Sequence, residues 1–264
     1  MPDGLWEIVE PLLPERPPAE VGGRPRVDQR AVLATVLFVQ ATGCSWHQVS
    51  GLFGVHRATA HRWFQAWTRS GVWARLHQAV LDELGRRALL DWSRVCVDAQ
   101  SVRAKRGGEA TGPNPTDRAK SGSKIHLLTD GHGLPLACGI SAANVHDGHT
   151  LQPLVQAVPA VRSRKGPRRR RPAKLHADKA YHSHQNRQWL ADRGITVRIA
   201  RPGAESSDKL GRHRYKVERS IAWIGYFRRL GIRWERKASN FLAMVAIGCI
   251  KICYRHLTKH NPRY

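Results

Sequence analysis

The sequence predicts an α/β protein with a mixed five-stranded sheet flanked by helices, preceded by a small all-α unit. Through residue 88 the apolar residues recur mostly at helical spacing, whereas from residue 94 β-branched runs take over. Three predicted strands come in succession before strands and helices alternate, which indicates a sheet with both antiparallel and parallel pairs. We therefore expect an N-terminal helical domain over residues 1–88 and an α/β domain over residues 92–258.

The start of the all-α unit carries clear boundary signals. Residues 13–18 and 22–27 are rich in proline, glycine and arginine and are typical of a linker or arm. Asp28 is expected to cap a mostly apolar helix over residues 30–43, and Gly43 to end that helix in the left-handed conformation.

Residues 45–67 have helix–turn–helix character. On a first helix, Val49 and Leu52 would face the core, and a second helix over residues 57–67 would follow a turn. Inward positions of the second helix would be Ala60, Trp63, Phe64 and Trp67. The outward residues near its start are where a recognition helix contacts DNA, and they are Arg57, Thr59, His61 and Arg62. A three-helix bundle without a DNA role would show the same pattern.

The α/β part has a regular order of elements. The predicted strands cover residues 94–100, 124–129, 134–141, 173–178 and 196–200, and the second and third form a hairpin. Helices are predicted over residues 146–158, 183–194, 209–234 and 239–257.

Charge points to a polyanionic partner. The chain of 264 residues has a formal net charge of +24 and a pI near 11.1. Residues 1–91 hold ten arginines, no lysine and nine acidic residues, so nearly all the excess lies in residues 92–264. Nucleic acid is the partner that such a charge most often serves. A cationic surface kept for solubility, a ribosomal-type protein and a membrane-surface protein are the alternatives.

Cysteine and apolar patterns indicate a soluble cytoplasmic protein that associates with the nucleoid. The five cysteines are scattered without the spacing of a zinc site, and the fourteen histidines form no ligand-spaced cluster with them. Met1-Pro2-Asp3 does not begin a signal peptide, and the longest apolar run, residues 241–250, is about half a membrane span.

Three acids in the basic half stand at informative positions. Asp98 is expected to end the first strand and Asp178 the fourth, where open sheets place ligands, and Glu218 lies early on the long helix. Three converging carboxylates repel one another unless a divalent cation lies between them. Oxygen ligands favour Mg²⁺, with Mn²⁺ as a substitute, and two such ions can drive phosphodiester displacement. Considered alone, Asp98 and Asp178 could instead cap the helix or turn that follows, and Glu218 could form a surface ion pair.

Several segments together resemble the DDE transposases of bacterial insertion sequences, most closely insertion-sequence family 5 within the family 4/family 5 group. They are VDAQSVRAKRGG (97–108), SGSKIHLLTDGHGLPLACGISAANVHD (121–147), LHADKAYHSHQNRQWLADRGI (175–195) and residues 210–250. Residues 5–14, 22–44 and 71–76 are similar to the N-terminal part of that family, so the resemblance covers nearly the whole chain.

The resemblance implies a ribonuclease-H-like catalytic core in which Asp98, Asp178 and Glu218 bind Mg²⁺. The wider group carries a Tyr-x2-Arg-x3-Glu-x6-Lys signature. Arg214 matches its arginine, whereas Gly211 and Gly225 stand at the tyrosine and lysine positions. No large insertion fits between Asp178 and Glu218.

Other residues are candidates for DNA contact. Lys124, Lys179, Arg214 and Arg219 are expected near phosphates, although a lysine that extends along the surface is an equal alternative for Lys124. The arginine run 168–171 is expected to be a mobile, solvated loop along the DNA backbone. Asn144, His146 and Asp147 follow the third strand; a place near the site and a role as turn and helix cap are both open, with the cap favoured for Asp147.

The resemblance implies a transposase that binds the terminal inverted repeats of its element as a homodimer on double-stranded DNA. Water would cut the ends, and the freed 3′-hydroxyl would attack target DNA. Small-molecule substrates and membranes are not expected as partners. A metal-dependent nuclease of the same fold without strand transfer, and a catalytically inactive DNA-binding protein, are the alternatives.

Overall fold

The structure is a computed structural model that describes residues 1–15, 26–201 and 207–260, without the side chains of 207–214. Its α-helices are α1 (Asp3–Val9), α2 (Gln29–Thr42), α3 (Arg57–Arg69), α4 (Val72–Arg86), α5 (Leu151–Gln156), α6 (His184–Asp192), α7 (Ser207–Tyr226), α8 (Arg228–Gly231) and α9 (Ala238–Lys259). Its strands are β1 (Val95–Ala104), β2 (Gly112–Pro113), β3 (Ser121–Asp130), β4 (Pro135–Ala142), β5 (Lys174–Ala177), β6 (Thr196–Ile199) and β7 (Ile232–Arg233). Short 3-10 turns cover Glu10–Leu12, Asp147–Thr150 and Lys179–Tyr181.

Strand β1 is the centre of the sheet. It pairs antiparallel with β3 on one side and parallel with β5 on the other. Strand β4 continues the sheet beyond β3 as an antiparallel neighbour, and β6 continues it beyond β5 in parallel. The five main strands thus have the order β4-β3-β1-β5-β6, and the predicted mixed sheet of ribonuclease-H type is confirmed. Two-residue strands β2 and β7 add to its margins.

Helices cover both faces of this sheet. Adjacent strand residues point to opposite faces, and two adjacent residues of β4 show which helix lies on each. A Cβ built on Gly139 would lie 3.7 Å from Leu154 of α5, whereas the neighbouring Cys138 thiol and burial raise the pKa of Cys249 on α9. Helices α5 and α9 therefore lie on opposite faces, with the sheet between them.

Helix α9 is the central element of the α9 face. Helices α2, α3 and α4 of the N-terminal part and strand β4 all pack against it. By length and composition it is apolar enough to cross a membrane, but 67% of its most apolar window is buried inside the protein. It is thus the core helix shared by the N-terminal helices and the sheet. The division into domains 1–88 and 92–258 stays a prediction.

The boundary residues predicted for α2, Asp28 and Gly43, are confirmed. The Asp28 carboxylate accepts hydrogen bonds from the backbone N–H of Arg30 at 2.8 Å and of Ala31 at 3.3 Å, and Gly43 ends α2 at φ 71°. Ser183 caps α6 in the same way, and Gly194 follows it at φ 65°. The linker predicted over residues 13–18 and 22–27 lies mostly outside the described residues.

The predicted first helix of the helix–turn–helix is wrong. Residues 46–53 form successive turns joined by backbone hydrogen bonds of i to i+3 spacing, and Gly51 takes a left-handed φ of 81° that a right-handed helix excludes. Val49 is buried as expected, but Leu52 is 57% exposed. The second helix is confirmed as α3, with Ala60, Phe64 and Trp67 buried and Trp63 partly buried.

Two further boundaries differ from the sequence prediction. Strand β1 runs on to Ala104 because its pairing with β3 continues through Arg103, so Asp98 lies inside the strand and not at its end. Helix α7 ends at Tyr226, eight residues before the predicted end. The chain then turns so that buried Arg229 reaches Glu235 at 2.7 Å and the Cys44 carbonyl at 3.1 Å.

The arginine run 168–171 is held against the body of the protein, contrary to the expected mobile loop. Arg168 donates to the Asp82 carboxylate at 3.0 and 3.1 Å, and Arg169 pairs by backbone with Val161. Arg170 and Arg171 donate to backbone carbonyls. These acceptors hold the chain in place, so the run forms an exposed basic surface on the body of the protein.

Buried His77 makes the stability depend on pH. Its Nε2 lies 2.9 Å from the Pro135 carbonyl oxygen, and burial lowers its pKa to about 4. In the unfolded chain the His77 imidazole is protonated with its ordinary pKa near 6.5, about two units above the pKa in the folded protein. The contribution of His77 is therefore complete above pH 6.5 and is lost as the pH falls toward 4.

We expect His77→Gln, which keeps a neutral donor for Pro135, to weaken the pH dependence of unfolding free energy by about 1.4 kcal/mol per pH unit between pH 6.5 and 4. Urea unfolding at several pH values measures this slope. The same change at exposed His184 is the control and should leave the slope unchanged; equal slopes in H77Q and the unmodified protein would contradict the assignment.

Candidate active site

Two of the predicted acids come together through the pairing of β1 and β5. The parallel register joins Val95 to Leu175 and Cys96 to His176. Asp98 lies two residues beyond Cys96, and Asp178 two residues beyond His176. Extended by two residues, this register sets the two aspartates opposite each other and on the same face, on neighbouring strands about 4.8 Å apart.

Local hydrogen bonds hold both aspartates in place. Asp178 directly follows β5 and caps the next 3-10 turn, since its Oδ1 accepts from the Ala180 N–H at 2.9 Å. The Oδ1 of Asp98 accepts from the Ala99 N–H at 2.8 Å. Both side chains are partly exposed, on the side of the sheet that α7 crosses.

Glu218 lies on the helix that crosses this face. Helix α7 packs against β1, β3 and β5. A Cβ built on Gly225 would lie 3.9 Å from the Gln100 amide nitrogen, which places that side of α7 over β1. Glu218 lies seven residues, or about two turns, before Gly225 and so shares its side of the helix. The Glu218 side chain is exposed.

The structure does not assemble the three carboxylates into a ligand cluster. Among the side chains it describes, no three His, Cys, Asp or Glu residues are placed to hold a metal ion. The oxygen donors and shared face of Asp98 and Asp178 fit a hard divalent cation. Glu218 is exposed on the helix that packs over this same face of the sheet.

Asn186 joins the two turns beside Asp178, and the sequence did not single it out. Its buried amide donates to the Gly148 carbonyl at 2.9 Å and to the Tyr181 carbonyl at 3.1 Å. The turn after β4 is thereby fixed to the turn that Asp178 caps. The only signal in the sequence is its spacing from Ser183, whose Oγ accepts from the Asn186 N–H at 3.0 Å.

Residues 144–147, which follow β4, have structural roles next to the turns that Asn186 joins. His146 caps the 3-10 turn by accepting from the Gly148 N–H at 3.2 Å, so the cap is His146, where Asp147 was favoured. Asp147 instead pairs with Lys124 at 2.9 Å. A Cβ on Gly112 would collide with the Asn144 side chain, so Asn144 packs against the β2 segment.

Lys124 lies away from the aspartates. It pairs with Ser101 of β1, and residues opposite each other in a sheet point to the same face. Ser101 is three residues from Asp98 and therefore points to the other face. The Lys124 ammonium donates to the Val145 carbonyl and the Asp147 carboxylate, both at 2.9 Å. This placement does not fit a phosphate contact beside Asp98.

The other basic candidates are distributed around α7 and the Asp178 turn. Lys179 follows Asp178 and is exposed. Arg219 donates to the His132 carbonyl at 2.7 Å, and its guanidinium lies 4.7 Å from the Trp223 ring centre. Arg214 lies on α7, but its side chain is outside the described part. Lys179 is thus accessible beside Asp178, whereas Arg219 is held against the turn that contains His132.

On α3 the four recognition candidates differ in exposure. Arg57 and Arg62 are exposed, and Thr59 is partly exposed. The His61 ring lies 5.1 Å from that of Trp46, and burial lowers its pKa, assisted by Arg229 and Lys237. His61 therefore contributes to packing, and the two arginines offer the accessible cationic groups.

Known families match both parts of the chain. Residues 1–77 match the family described as "Putative transposase of IS4/5 family", and residues 91–253 match "Transposase DDE domain". The putative transposase for insertion sequence element IS402 of Burkholderia cepacia is 42% identical over 173 residues, covering 66% of this chain and 80% of that protein. A 16.2 kDa protein of the same element is 38% identical over 116 residues, covering 43% and 79%.

The fold also matches a solved structure. The piggyBac transposase synaptic complex with hairpin DNA has a TM-score of 0.51 over 97% of this chain and 72% of that one, at 11% identity. At this identity the likeness concerns the fold alone.

We expect Asn186→Ala to destabilise the protein by about 1–3 kcal/mol, because the buried Tyr181 carbonyl and the partly buried Gly148 carbonyl lose their donor. Urea unfolding measures the loss. Gln188→Ala on the same helix removes only an exposed hydrogen bond to Asp192 and is the control. Equal stability of N186A and Q188A would show that Asn186 does not hold these turns.

Proposed function

This chain belongs to the DDE transposases of the IS4/5 family, and we propose that Asp98, Asp178 and Glu218 form its active centre. As an insertion-sequence transposase it catalyses cleavage and transfer of DNA strands. Enzymes of this class depend on a divalent metal ion. The finer assignments, namely these residues, Mg²⁺ and the end-binding role of α3, are our proposal.

The observation that carries the proposal is the register of β1 and β5. Two residues past their last paired residues, both strands present an aspartate on one face. Asp98 lies within β1 and Asp178 directly follows β5, so the backbone sets the positions of both residues. The like charges so placed favour a divalent cation between them.

Asp98 and Asp178 would hold Mg²⁺, or Mn²⁺ in its place, and Glu218 would complete the set by rotating in from α7. When bound, the ion activates the attacking oxygen and stabilises the leaving one. The chain itself orients the two aspartates through the Ala99 and Ala180 N–H groups. Exposed Lys179 would bind a phosphate next to them.

We place recognition of the terminal repeats on the exposed side of α3, at Arg57, Thr59 and Arg62. His61 would support this surface through its packing on Trp46. Two copies of the chain would pair the two ends of the element, so a homodimer on double-stranded DNA is expected. We expect these reactions to take place on DNA in the cytoplasm.

Asp178→Asn tests the active centre. The asparagine oxygen can still accept from Ala180, so the fold and the binding of element ends should persist. We expect Mg²⁺-dependent cleavage of labelled element ends to fall by more than about 100-fold, since a charged ligand is lost. Gel shift on the same DNA measures end binding, and Mn²⁺ binding followed by electron paramagnetic resonance measures the ion site.

Asp192→Asn on α6 is the matched control and should cleave as the unmodified protein does. Glu218→Gln should match D178N in cleavage; unchanged cleavage in it would remove Glu218 from the site. Retained cleavage in D178N would refute the whole assignment. Cleavage without joining to target DNA in the unmodified protein would favour a nuclease without strand transfer.

A further inference from the structure

A groove runs between α7 and the C-terminal half of α9, separate from the side of α7 that faces β1. Its cavity volume is about 730 Å³. The lining residues combine aromatic rings, cations and histidines, and we name it the basic–aromatic groove: His132, Leu134, Arg219, Trp223, Tyr226, Phe227, Ile252, Arg255, His256 and Lys259. A volume of this size accommodates a small ligand or a nucleotide.

Two large aromatic rings are left open to solvent on the α7 wall. Trp223 is 37% exposed and Tyr226 is 80% exposed. They share one stripe of the helix with Arg219, at spacings of four and seven residues. The Arg219 guanidinium lies 4.7 Å from the Trp223 ring centre, and its donation to the His132 carbonyl holds it there. The stripe therefore offers ring faces next to a fixed cation.

The opposite wall supplies further positive charge. Arg255 and Lys259 of α9 are exposed, and no residue among those that line the groove is acidic. The His132 and His256 rings stack with centres 6.4 Å apart. Burial lowers the pKa of His256 to about 4, and the positive neighbours His260, His132, Lys259 and Arg219 contribute. A field of this sign attracts an anion.

We propose that the basic–aromatic groove binds an unpaired stretch of the DNA strand, with bases stacked on Trp223 and Tyr226 and phosphates on Arg219, Arg255 and Lys259. Exposed ring faces within a cationic groove are the combination by which proteins hold single-stranded DNA. In a duplex, the base faces are already stacked on each other and cannot use these rings.

The position relative to the active centre suits this occupant. Glu218 and Arg219 are consecutive, and they lie about 100° apart on α7. One side of the helix faces Gln100 of β1 through Gly225, and the other faces the groove. A strand freed at the aspartates can thus pass around α7 into the groove. The assignment of this groove rests on the proposed function, because cleavage at the active centre would supply the unpaired strand.

The test measures binding of a labelled 15-nucleotide single strand, and of its duplex, by fluorescence anisotropy with Mg²⁺ omitted. The double variant Trp223→Ala with Tyr226→Ala should lower single-strand affinity by about 10-fold or more, because stacking on two rings is lost. Its affinity for duplex element ends should stay within about 2-fold. Trp223→Phe with unmodified Tyr226 should restore most of the binding, since a ring face remains.

Trp189→Ala is the matched control. Trp189 on α6 also has an arginine four residues away, Arg193, whose guanidinium lies 3.8 Å from the ring centre, but it lies outside the groove. This change should leave single-strand affinity unaltered. Thermal unfolding of each variant shows that loss of binding is not loss of folding.

The results separate this inference from the assignment of the active centre. D178N should bind the single strand normally, whereas the double variant should lose it whether or not cleavage depends on Asp178. Unchanged single-strand affinity in the double variant would overturn the groove proposal and leave the active centre untouched. An equal loss for single strand and duplex would also overturn it, because a general basic surface would then explain both.

Discussion

The pairing of β1 on both of its sides is the constraint on which the rest of this molecule depends. The antiparallel pairing with β3 fixes the face of the sheet to which each β1 residue points. The parallel pairing with β5 fixes the position of Asp178 relative to Asp98 along the strands. A shift of one residue would send Asp98 to the face that α5 covers. The positions of the two aspartates are thus set by backbone hydrogen bonds between strands.

Packing against this sheet gives helix α7 two sides with different roles. Its buried residues, Val217, Ser220 and Ile224, fix its rotation against the core. Glu218 and Gly225 then fall toward β1, while Arg219, Trp223 and Tyr226 fall toward α9. Because one helix supplies both sides, strand cutting and strand holding would be linked by a rigid element with no hinge between them. The buried contact of Arg229 with Glu235 and the Cys44 carbonyl ties the end of this region to the α2–α3 connection.

Much of the fold could be predicted because its signals are local. Apolar periodicity gave α3 and α9, and single residues such as Asp28, Gly43 and Ser183 mark helix ends by hydrogen bonds within a few positions. The errors had two causes. Residues 46–53 have a helix-like apolar pattern but form local turns, with Gly51 in the left-handed conformation. The arginine run was expected to be mobile because its acceptors, Asp82 among them, lie far away in the chain.

By itself, the sequence determined that the chain is a basic α/β protein with strand-borne acids, and its motifs carried the likeness to DDE transposases. The tertiary structure decided which residues lie next to each other. Lys124 lies on the face of the sheet away from Asp98, and Asn186 joins two turns. The aromatic rings of α7 face the cations of α9. Charge and periodicity are properties of short segments, whereas a face or a groove exists only when segments far apart in the chain are packed together.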